Sequence, residues 1–296
     1  MNLDHFGMDS VTLAGPLEAK LRAVREAGFG QIMLSARDIV GHPGGEAAAV
    51  AAVRDSGLRV TGFQVLRDFE GLSGHLHAYK VDVAKGMLGM CRALGARLLL
   101  ACSSTSAHGT GEPEALVRDL RQLAMLALPL GVRIAYEALS WGRHVSQFPH
   151  AWELVQRADR PNLGLALDSF HSLATDTGLE ALDGVDPQRV FLVQLADFMW
   201  REIRSPEERI DTARHFRVFP GEGVHGPEVV ELVRRLDRRG YRGDYSFEVF
   251  NDDYTQLPLP LVAARARQSV RWLTGQVARR SLPTSRAGAG PGPGRP

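Results

Sequence analysis

Residues 114–137 read EALVRDLRQLAMLALPLGVRIAYE and contain the unit from which the fold is predicted. Apolar residues recur at three- and four-residue spacing over Glu114–Leu128, which predicts an amphipathic helix. Gly131 follows at the position where glycine commonly ends a helix, and the run Arg133–Glu137 then predicts a strand. A helix that leads directly into a strand is typical of parallel sheets, in which helices connect successive strands.

The same unit recurs along the chain. We predict six further strands, and an eighth, weaker one near His5–Thr12. The six are Gln31–Ser35, Arg59–Val65, Arg97–Ser103, Leu163–Asp168, Val190–Leu195 and Tyr245–Val249. The other predicted helices are Leu17–Ala27, Glu46–Ser56, Tyr79–Leu94, Ala151–Arg157 and Pro227–Arg239. Most of these helices are followed by a glycine, as at Gly28, Gly57, Gly95 and Gly240.

Eight strand–helix units in about 275 residues fit an α/β fold of the (β/α)8 TIM-barrel type in a single domain. The alternative, a doubly wound open sheet, requires a glycine-rich phosphate loop after the first strand. The nearest pattern, Gly41 to Gly45, follows the second strand and lacks the G-x-G-x-x-G spacing. We therefore predict a catalytic barrel over residues 1–278 and a disordered tail, rich in Arg, Gly and Pro, over residues 279–296.

Composition excludes several classes of protein. With 44% hydrophobic and 23% charged residues, the chain is typical of a globular protein. Its longest apolar stretch, Leu123 to Val132, is about ten residues and too short to span a membrane. Outside the tail, 31 basic and 34 acidic residues give a net charge of −3, which argues against a nucleic-acid partner. Two cysteines and no visible secretory signal favour a cytoplasmic location.

Four consecutive predicted strands end in oxygen-bearing side chains, namely Glu137, Asp168, Gln194 and Glu248. The carboxyl ends of barrel strands meet at one face, so we expect these side chains to converge there. Carboxylates that converge repel one another, and a divalent cation relieves that repulsion. The alternative is that each carboxylate pairs with an arginine at the rim of the barrel.

His171 follows Asp168 by three residues, so the turn after that strand directs it toward the same pocket. A histidine there could act as an acid or a base near neutral pH. The alternative is a structural histidine held by hydrogen bonds.

Three arginines are candidates for binding a substrate carboxylate through a bidentate contact. Arg67 lies just past the third strand, and Arg214 and Arg217 lie in a predicted loop before Phe219. The alternative is a salt bridge to Asp68 or Glu222. A further group, Trp141, Arg143 and His144, follows Glu137 closely, and we expect it to contact the substrate from the pocket wall or lid.

The strand-end set, together with Asp168-x-x-His171 and Pro220-Gly-Glu-Gly223, resembles the xylose-isomerase-like superfamily of sugar isomerases and epimerases. Within it, several segments resemble the 3-dehydroshikimate dehydratases, and the similarity runs from about residue 15 to 275. These segments are 67–71, 102–103, 136–144, 167–171, 193–197, 217–223 and 248–252. Gln194 favours the dehydratases, because the epimerases usually have histidine at that ligand position.

The resemblance implies a barrel that binds one divalent ion (Mg²⁺, Mn²⁺ or Co²⁺) through Glu137, Asp168, Gln194 and Glu248. It implies a small-molecule substrate, a keto-cyclohexene carboxylate, whose dehydration yields protocatechuate. The second strand departs from the family pattern, because it ends Met33-Leu-Ser-Ala-Arg-Asp38 where an acidic–Asn pair is common. A related ketone therefore stays an alternative substrate, and the sequence leaves a homo-oligomer open.

Three other functions are compatible with this barrel. A divalent-metal-dependent keto-sugar isomerase or epimerase would share the first step, abstraction of a proton beside a carbonyl. An endonuclease of this fold requires a zinc cluster held largely by histidines, whereas this chain has Gln64 and Cys102 at the corresponding strand ends. A non-catalytic binding barrel would not need the intact set of ligands.

Overall fold

The computed structural model describes residues 5–279. The predicted disordered tail lies outside these residues except for Arg279, so its disorder stays a prediction.

Eight parallel strands form a closed barrel, which confirms the predicted TIM-barrel fold in one domain. The first of these strands pairs with the second on one side and with the last on the other, and so closes the sheet. The barrel strands are β1 (Phe6–Asp9), β2 (Gln31–Ser35), β3 (Arg59–Arg67), β4 (Leu98–Cys102), β5 (Arg133–Glu137), β6 (Leu163–Asp168), β7 (Val190–Leu195) and β10 (Tyr245–Phe247). Between β7 and β10, two short antiparallel strands, β8 (Asp197–Phe198) and β9 (Arg217–Val218), form a separate pair.

Helices cover the outside of the barrel, and the six predicted helices are present with ends shifted by up to five residues. Four helices are additional to those predicted: α2, α7, α8 and α10. The complete set is α1 (Leu17–Glu26), α2 (Ala36–Val40), α3 (Gly45–Asp55), α4 (Gly74–Leu94), α5 (Pro113–Ala127), α6 (Phe148–Ala158), α7 (Ser169–Ala174), α8 (Pro206–His215), α9 (Gly226–Arg238) and α10 (Leu259–Ala278).

Glycine ends the helices where the sequence predicts it. Gly95 has φ +68° and Gly131 has φ +65°, in the left-handed region that a side chain disfavours. In the described residues, the longest helices, α4 and α10, do not have the combination of length and hydropathy that a membrane-spanning segment requires, and neither do the shorter ones.

Alternation along the strands positions the polar residues. Leu100, Ala135, Ala166 and Leu192 belong to a buried apolar cluster that is separate from the larger core between strands and helices. Side chains two residues apart on a strand share a face. The residues two positions further on are Cys102, Glu137, Asp168 and Gln194, and they form a layer above the apolar one that is polar apart from Cys102, which also contacts the apolar cluster.

Candidate metal and catalytic site

Strand register aligns the polar layer at the carboxyl end of the barrel. Asp168 is level with Gln194, Gln194 is level with Ser246, and Cys102 is level with Glu137. A cleft of about 1220 Å³ opens above this layer, and its lining includes Glu137 and the side chains that follow β6 and β10. The cleft is therefore at the end of the barrel where the strand-end residues were predicted to converge.

The carboxylates of Glu137 and Asp168 lie together with His171, since a ligand atom from each is within 4.8 Å of the others. Glu248 joins this group through Arg217, whose Nη1 donates to Asp168 Oδ2 at 2.7 Å and to Glu248 Oε2 at 3.1 Å. All of these side chains are buried. The structure thus brings together the predicted carboxylates, and it adds a buried guanidinium between two of them.

The residues present fit a divalent cation. Two buried oxygen atoms, Glu137 Oε1 and Gln194 Oε1, have no hydrogen-bond partner in residues 5–279. The other carboxylate oxygen, Glu137 Oε2, accepts a hydrogen bond from Cys102 Sγ at 2.9 Å. Oxygen atoms from carboxylates and amides are the ligands that Mg²⁺ and similar hard cations prefer. A divalent ion bound at this position would therefore give the two buried oxygens the partner that they lack.

The electrostatics of the layer also favour a cation. Burial, reinforced by Asp168 and Glu248, raises the pKa of Glu137 well above its usual range. Burial raises the pKa of Glu248 to about 7, although Arg217 partly offsets this. One guanidinium therefore does not balance the charge of the gathered carboxylates.

His171 is held in one tautomer by the backbone of Ser140. The Ser140 amide N–H donates to His171 Nδ1 at 3.1 Å, and burial lowers the pKa of His171 to about 3. A neutral ring that accepts at Nδ1 has its proton on Nε2, which lies 3.6 Å from Asp168 Oδ2. Nε2 in this state is a hydrogen-bond donor and not an acid, because the neutral ring does not give up its remaining proton, and His171 cannot bind a metal through that nitrogen.

Arg217 and Arg214 are not in a loop, which corrects the prediction. Arg214 is exposed on α8, and Arg217 is on β9, where its guanidinium lies 4.5 Å above the Phe170 ring. Because Arg217 is engaged by two carboxylates, it is not free to form a bidentate contact with a substrate in this arrangement. Sequence analysis could not identify Asp168 as the partner, because the two residues are 49 positions apart and Arg217 is placed by the pairing of β9 with β8.

Arg67 ends β3 and is exposed in the cleft lining. Its main-chain carbonyl accepts from Lys80 Nζ at 2.7 Å, while its guanidinium forms no ion pair within the part of the chain that the structure describes. Trp141 also lines the cleft, with its ring edge-on to His171 at 5.0 Å. His144 does not line the cleft; its Nε2 hydrogen-bonds the Gly109 carbonyl at 3.1 Å.

Asp9 is a site residue that sequence analysis missed. It is completely buried at the end of β1, and its carboxylate accepts hydrogen bonds from Gln194 and Ser246. Burial, followed by the charge of Glu248, raises the pKa of Asp9 well above its usual range. A polar residue at the end of a strand was the available signal, but β1 is only four residues long and its pattern is weak.

A family model described as "Xylose isomerase-like TIM barrel" matches residues 21–276. The 3-dehydroshikimate dehydratase of Pseudomonas aeruginosa is 37% identical over 89% of this chain, and the chain spans 41% of that relative. The inosose isomerase of Bacillus subtilis is 29% identical, with 58% of this chain and 61% of the relative covered.

Two solved structures show the same architecture. A xylose isomerase-like TIM barrel/4-hydroxyphenylpyruvate dioxygenase fusion protein is 35% identical with a TM-score of 0.86, covering 92% of this chain and 43% of that one. The IOLI protein, solved with a zinc atom, is 22% identical with a TM-score of 0.79, covering 94% of this chain and 100% of that one. The chain therefore spans less than half of the length of this dehydratase and of this fusion protein.

Proposed function

This chain belongs to the xylose isomerase-like TIM barrel family, and we propose that it is a metal-dependent lyase that dehydrates 3-dehydroshikimate to protocatechuate. The observation that carries the proposal is the buried Glu137–Asp168–His171 cluster at the floor of the cleft, in which Glu137 Oε1 has no hydrogen-bond partner among residues 5–279. The 37% sequence identity to a 3-dehydroshikimate dehydratase, over 89% of this chain, supports the choice of reaction.

The metal would be held by the predicted oxygen ligands Glu137, Asp168, Gln194 and Glu248. A divalent cation bound there supplies a Lewis acid that stabilises negative charge on a ketone oxygen. The excess of buried carboxylate charge supports this assignment. The ion that we propose is Mg²⁺, Mn²⁺ or Co²⁺.

Side chains of this protein carry out the proton transfers. A carboxylate takes the proton from the carbon beside the ketone, and Glu137 and Glu248 are the two acids of the ligand set that line the cleft. The carboxylic acid formed in that step then gives its proton to the departing hydroxyl, which leaves as water, while His171 Nε2–H donates a hydrogen bond to the same oxygen. Loss of that one water and enolisation of the ketone convert the keto-cyclohexene ring into the aromatic ring of protocatechuate, so the reaction needs no oxidant or reductant.

The substrate carboxylate is assigned to Arg67. Its guanidinium is exposed in the cleft and has no acidic partner among residues 5–279, whereas that of Arg217 is occupied by Asp168 and Glu248. Arg214 lines the cleft from α8 and is the second candidate. We assign Arg217 instead to holding the two carboxylates in place, and His144 no longer belongs to the proposed substrate site.

An isomerase or epimerase of a keto-sugar or cyclic polyol is the second candidate function. The similarity to an inosose isomerase supports it, and the same first proton abstraction would serve it. In that reaction the proton returns to carbon and no water is lost. The two functions therefore differ in their products although they use the same residues.

A product assay distinguishes the two functions. The purified protein is incubated with 3-dehydroshikimate, inosose or a panel of uncharged ketoses, each with Mg²⁺, Mn²⁺ or Co²⁺. The dehydratase proposal predicts the ultraviolet absorbance of protocatechuate from dehydroshikimate and no turnover of the uncharged substrates. Turnover of a ketose or inosose without any catechol product would establish the isomerase instead.

A further inference from the structure

We propose that Asp9 is a positioning residue that fixes the amide orientation of Gln194 and so determines which atom Gln194 offers to the cation. The inference rests on the metal site of the proposed function, but it does not depend on which substrate is converted. It concerns a contact between β1 and β7 at the base of the cleft.

The Asp9 carboxylate is an acceptor for three side chains. Its Oδ2 accepts from Gln194 Nε2 at 2.7 Å and from Gln64 Nε2 at 3.3 Å, and its Oδ1 accepts from the Ser246 hydroxyl. All four residues are buried, so solvent cannot replace any of these contacts. The Gln194 contact is the shorter of the two amide contacts.

The chemistry of an amide makes this contact directional. An amide group has one NH2 and one oxygen, and a carboxylate oxygen stabilises only the NH2 side. Nε2 donates to Asp9 Oδ2 at 2.7 Å and, at the longer distance of 3.4 Å, to Gln64 Oε1, so the Oε1 atom of Gln194 must lie on the other side of the amide.

Gln194 Oε1 has no other role in the described residues. It is buried and has no hydrogen-bond partner there, which is unfavourable for a carbonyl oxygen unless a cation or a donor completes it. A hard cation binds an amide through oxygen and not through the NH2 group. The orientation that Asp9 imposes is therefore the one in which Gln194 can be a ligand.

Strand pairing explains why Asp9 can reach Gln194. Ser246 is level with Gln194 across the β10–β7 ladder, and β1 is the next strand beyond β10. Asp9 therefore contacts the ligand strand through the closure of the barrel, across 185 positions of sequence. Side chains that hydrogen-bond to metal ligands commonly tune metal affinity in this way.

A double-mutant cycle on Mn²⁺ affinity tests the proposal. The dissociation constant is measured by electron paramagnetic resonance for the wild type, Asp9→Asn, Gln194→Ala and the double variant. We expect Asp9→Asn to weaken Mn²⁺ binding by about 10–100-fold. The Asn side chain can donate its own NH2 group to Gln194 Oε1, so position 9 no longer favours the orientation in which Nε2 faces it. In the Gln194→Ala background the same change should alter the constant by less than about twofold.

Ser246→Ala is the matched control, because it removes a hydrogen bond to the same carboxylate but leaves the Oδ2 contact. We expect it to bind Mn²⁺ within about threefold of the wild type. An equal loss from Asp9→Asn in both backgrounds, or no loss in either, would overturn the positioning role.

A second measurement needs no change at Asp9. The side-chain NH2 resonances of Gln194, assigned by their loss in Gln194→Ala, should exchange slowly with solvent before and after Mg²⁺ is added. Exchange at the rate of a free glutamine would overturn the proposal. If Mn²⁺ binds and these results hold but dehydroshikimate is not converted, the proposed substrate is refuted and the role of Asp9 stands.

Discussion

Nη1 of Arg217 lies 2.7 Å from Oδ2 of Asp168, and both side chains are buried. Arg217 is on the short strand β9, and Asp168 ends the barrel strand β6, so this ion pair ties the β8–β9 pair to the floor of the cleft. The same guanidinium also contacts Glu248. Arg217 therefore balances part of the carboxylate charge, which makes it a structural element of the site.

Loss of this guanidinium should destabilise the protein. Arg217→Met leaves Asp168 and Glu248 buried without their cation, and removing one partner of a buried pair costs about 3–5 kcal/mol. Urea denaturation of metal-free protein measures the change in the free energy of unfolding. Arg214→Ala, an exposed position three residues away, is the control and should change it by less than about 0.5 kcal/mol. Equal stability of the two variants would refute the structural role.

Arg67→Ala should impair the reaction with the charged substrate. Loss of a charge-assisted contact to the substrate carboxylate is expected to lower kcat/KM for dehydroshikimate. The corresponding loss of transition-state stabilisation is about 2–4 kcal/mol. The affinity for Mn²⁺ should not change, because Arg67 is outside the proposed set of ligands. Steady-state kinetics with Arg214→Ala in parallel would show whether that arginine carries the contact instead.

His171 should act as a hydrogen-bond donor to the departing hydroxyl. His171→Ala is expected to lower kcat by about 10²–10³-fold, with metal content unchanged, because Nε2–H is not a ligand in the observed tautomer. Metal analysis and turnover of the same preparation provide the two measurements. Loss of the metal together with activity would instead make His171 a ligand, and normal turnover would make it structural.

Glu70 should make stability depend on pH. Burial raises its pKa to about 7, despite hydrogen bonds from the Ser104 amide and the Tyr136 hydroxyl. The folded state then holds the proton more tightly than the unfolded state, so this contribution is complete below pH ~4.5 and is lost as pH rises through ~7. Between pH ~5.5 and ~8.5 the loss is about 2 kcal/mol.

Glu70→Gln provides the comparison for this prediction, since the amide does not titrate. The free energy of unfolding is measured for both proteins at the two pH values, and the wild type should lose more than the variant on going to high pH. The same pH dependence in both proteins would show that Glu70 does not contribute to it.

Most of the barrel and part of the site follow from local sequence patterns. Glu137 and Asp168 end predicted strands, and parallel strands that close into a barrel bring such ends together. Pairing of the strand-end carboxylates with an arginine was the alternative to a metal site, and Arg217 fulfils it for Asp168 and Glu248. That Arg217 is this arginine could not be predicted, because Asp168 is 49 residues away and the contact depends on β9, which is only two residues long. Asp9 was missed because its partner Gln194 is 185 residues away in sequence, and only the closure of the barrel through β10 brings β1 near β7.

Helices without a clear apolar period were also missed. The short helix α7 continues directly from β6, and it places His171 one turn beyond Asp168. The tautomer of His171 depends on the backbone of Ser140, 31 residues earlier, so no local pattern indicates whether the ring is a donor or an acceptor. Sequence analysis therefore identified the residue but left open whether its ring donates or accepts.

Dehydration of dehydroshikimate should depend on a divalent ion held by Glu137, Asp168, Gln194 and Glu248. The most direct measurement is the rate of protocatechuate formation by protein treated with EDTA and verified as metal-free, before and after Mn²⁺ is added. We predict no turnover before addition and full recovery after it, with Glu137→Gln failing to recover at the same Mn²⁺ concentration. Full turnover by the metal-free protein would contradict this dependence.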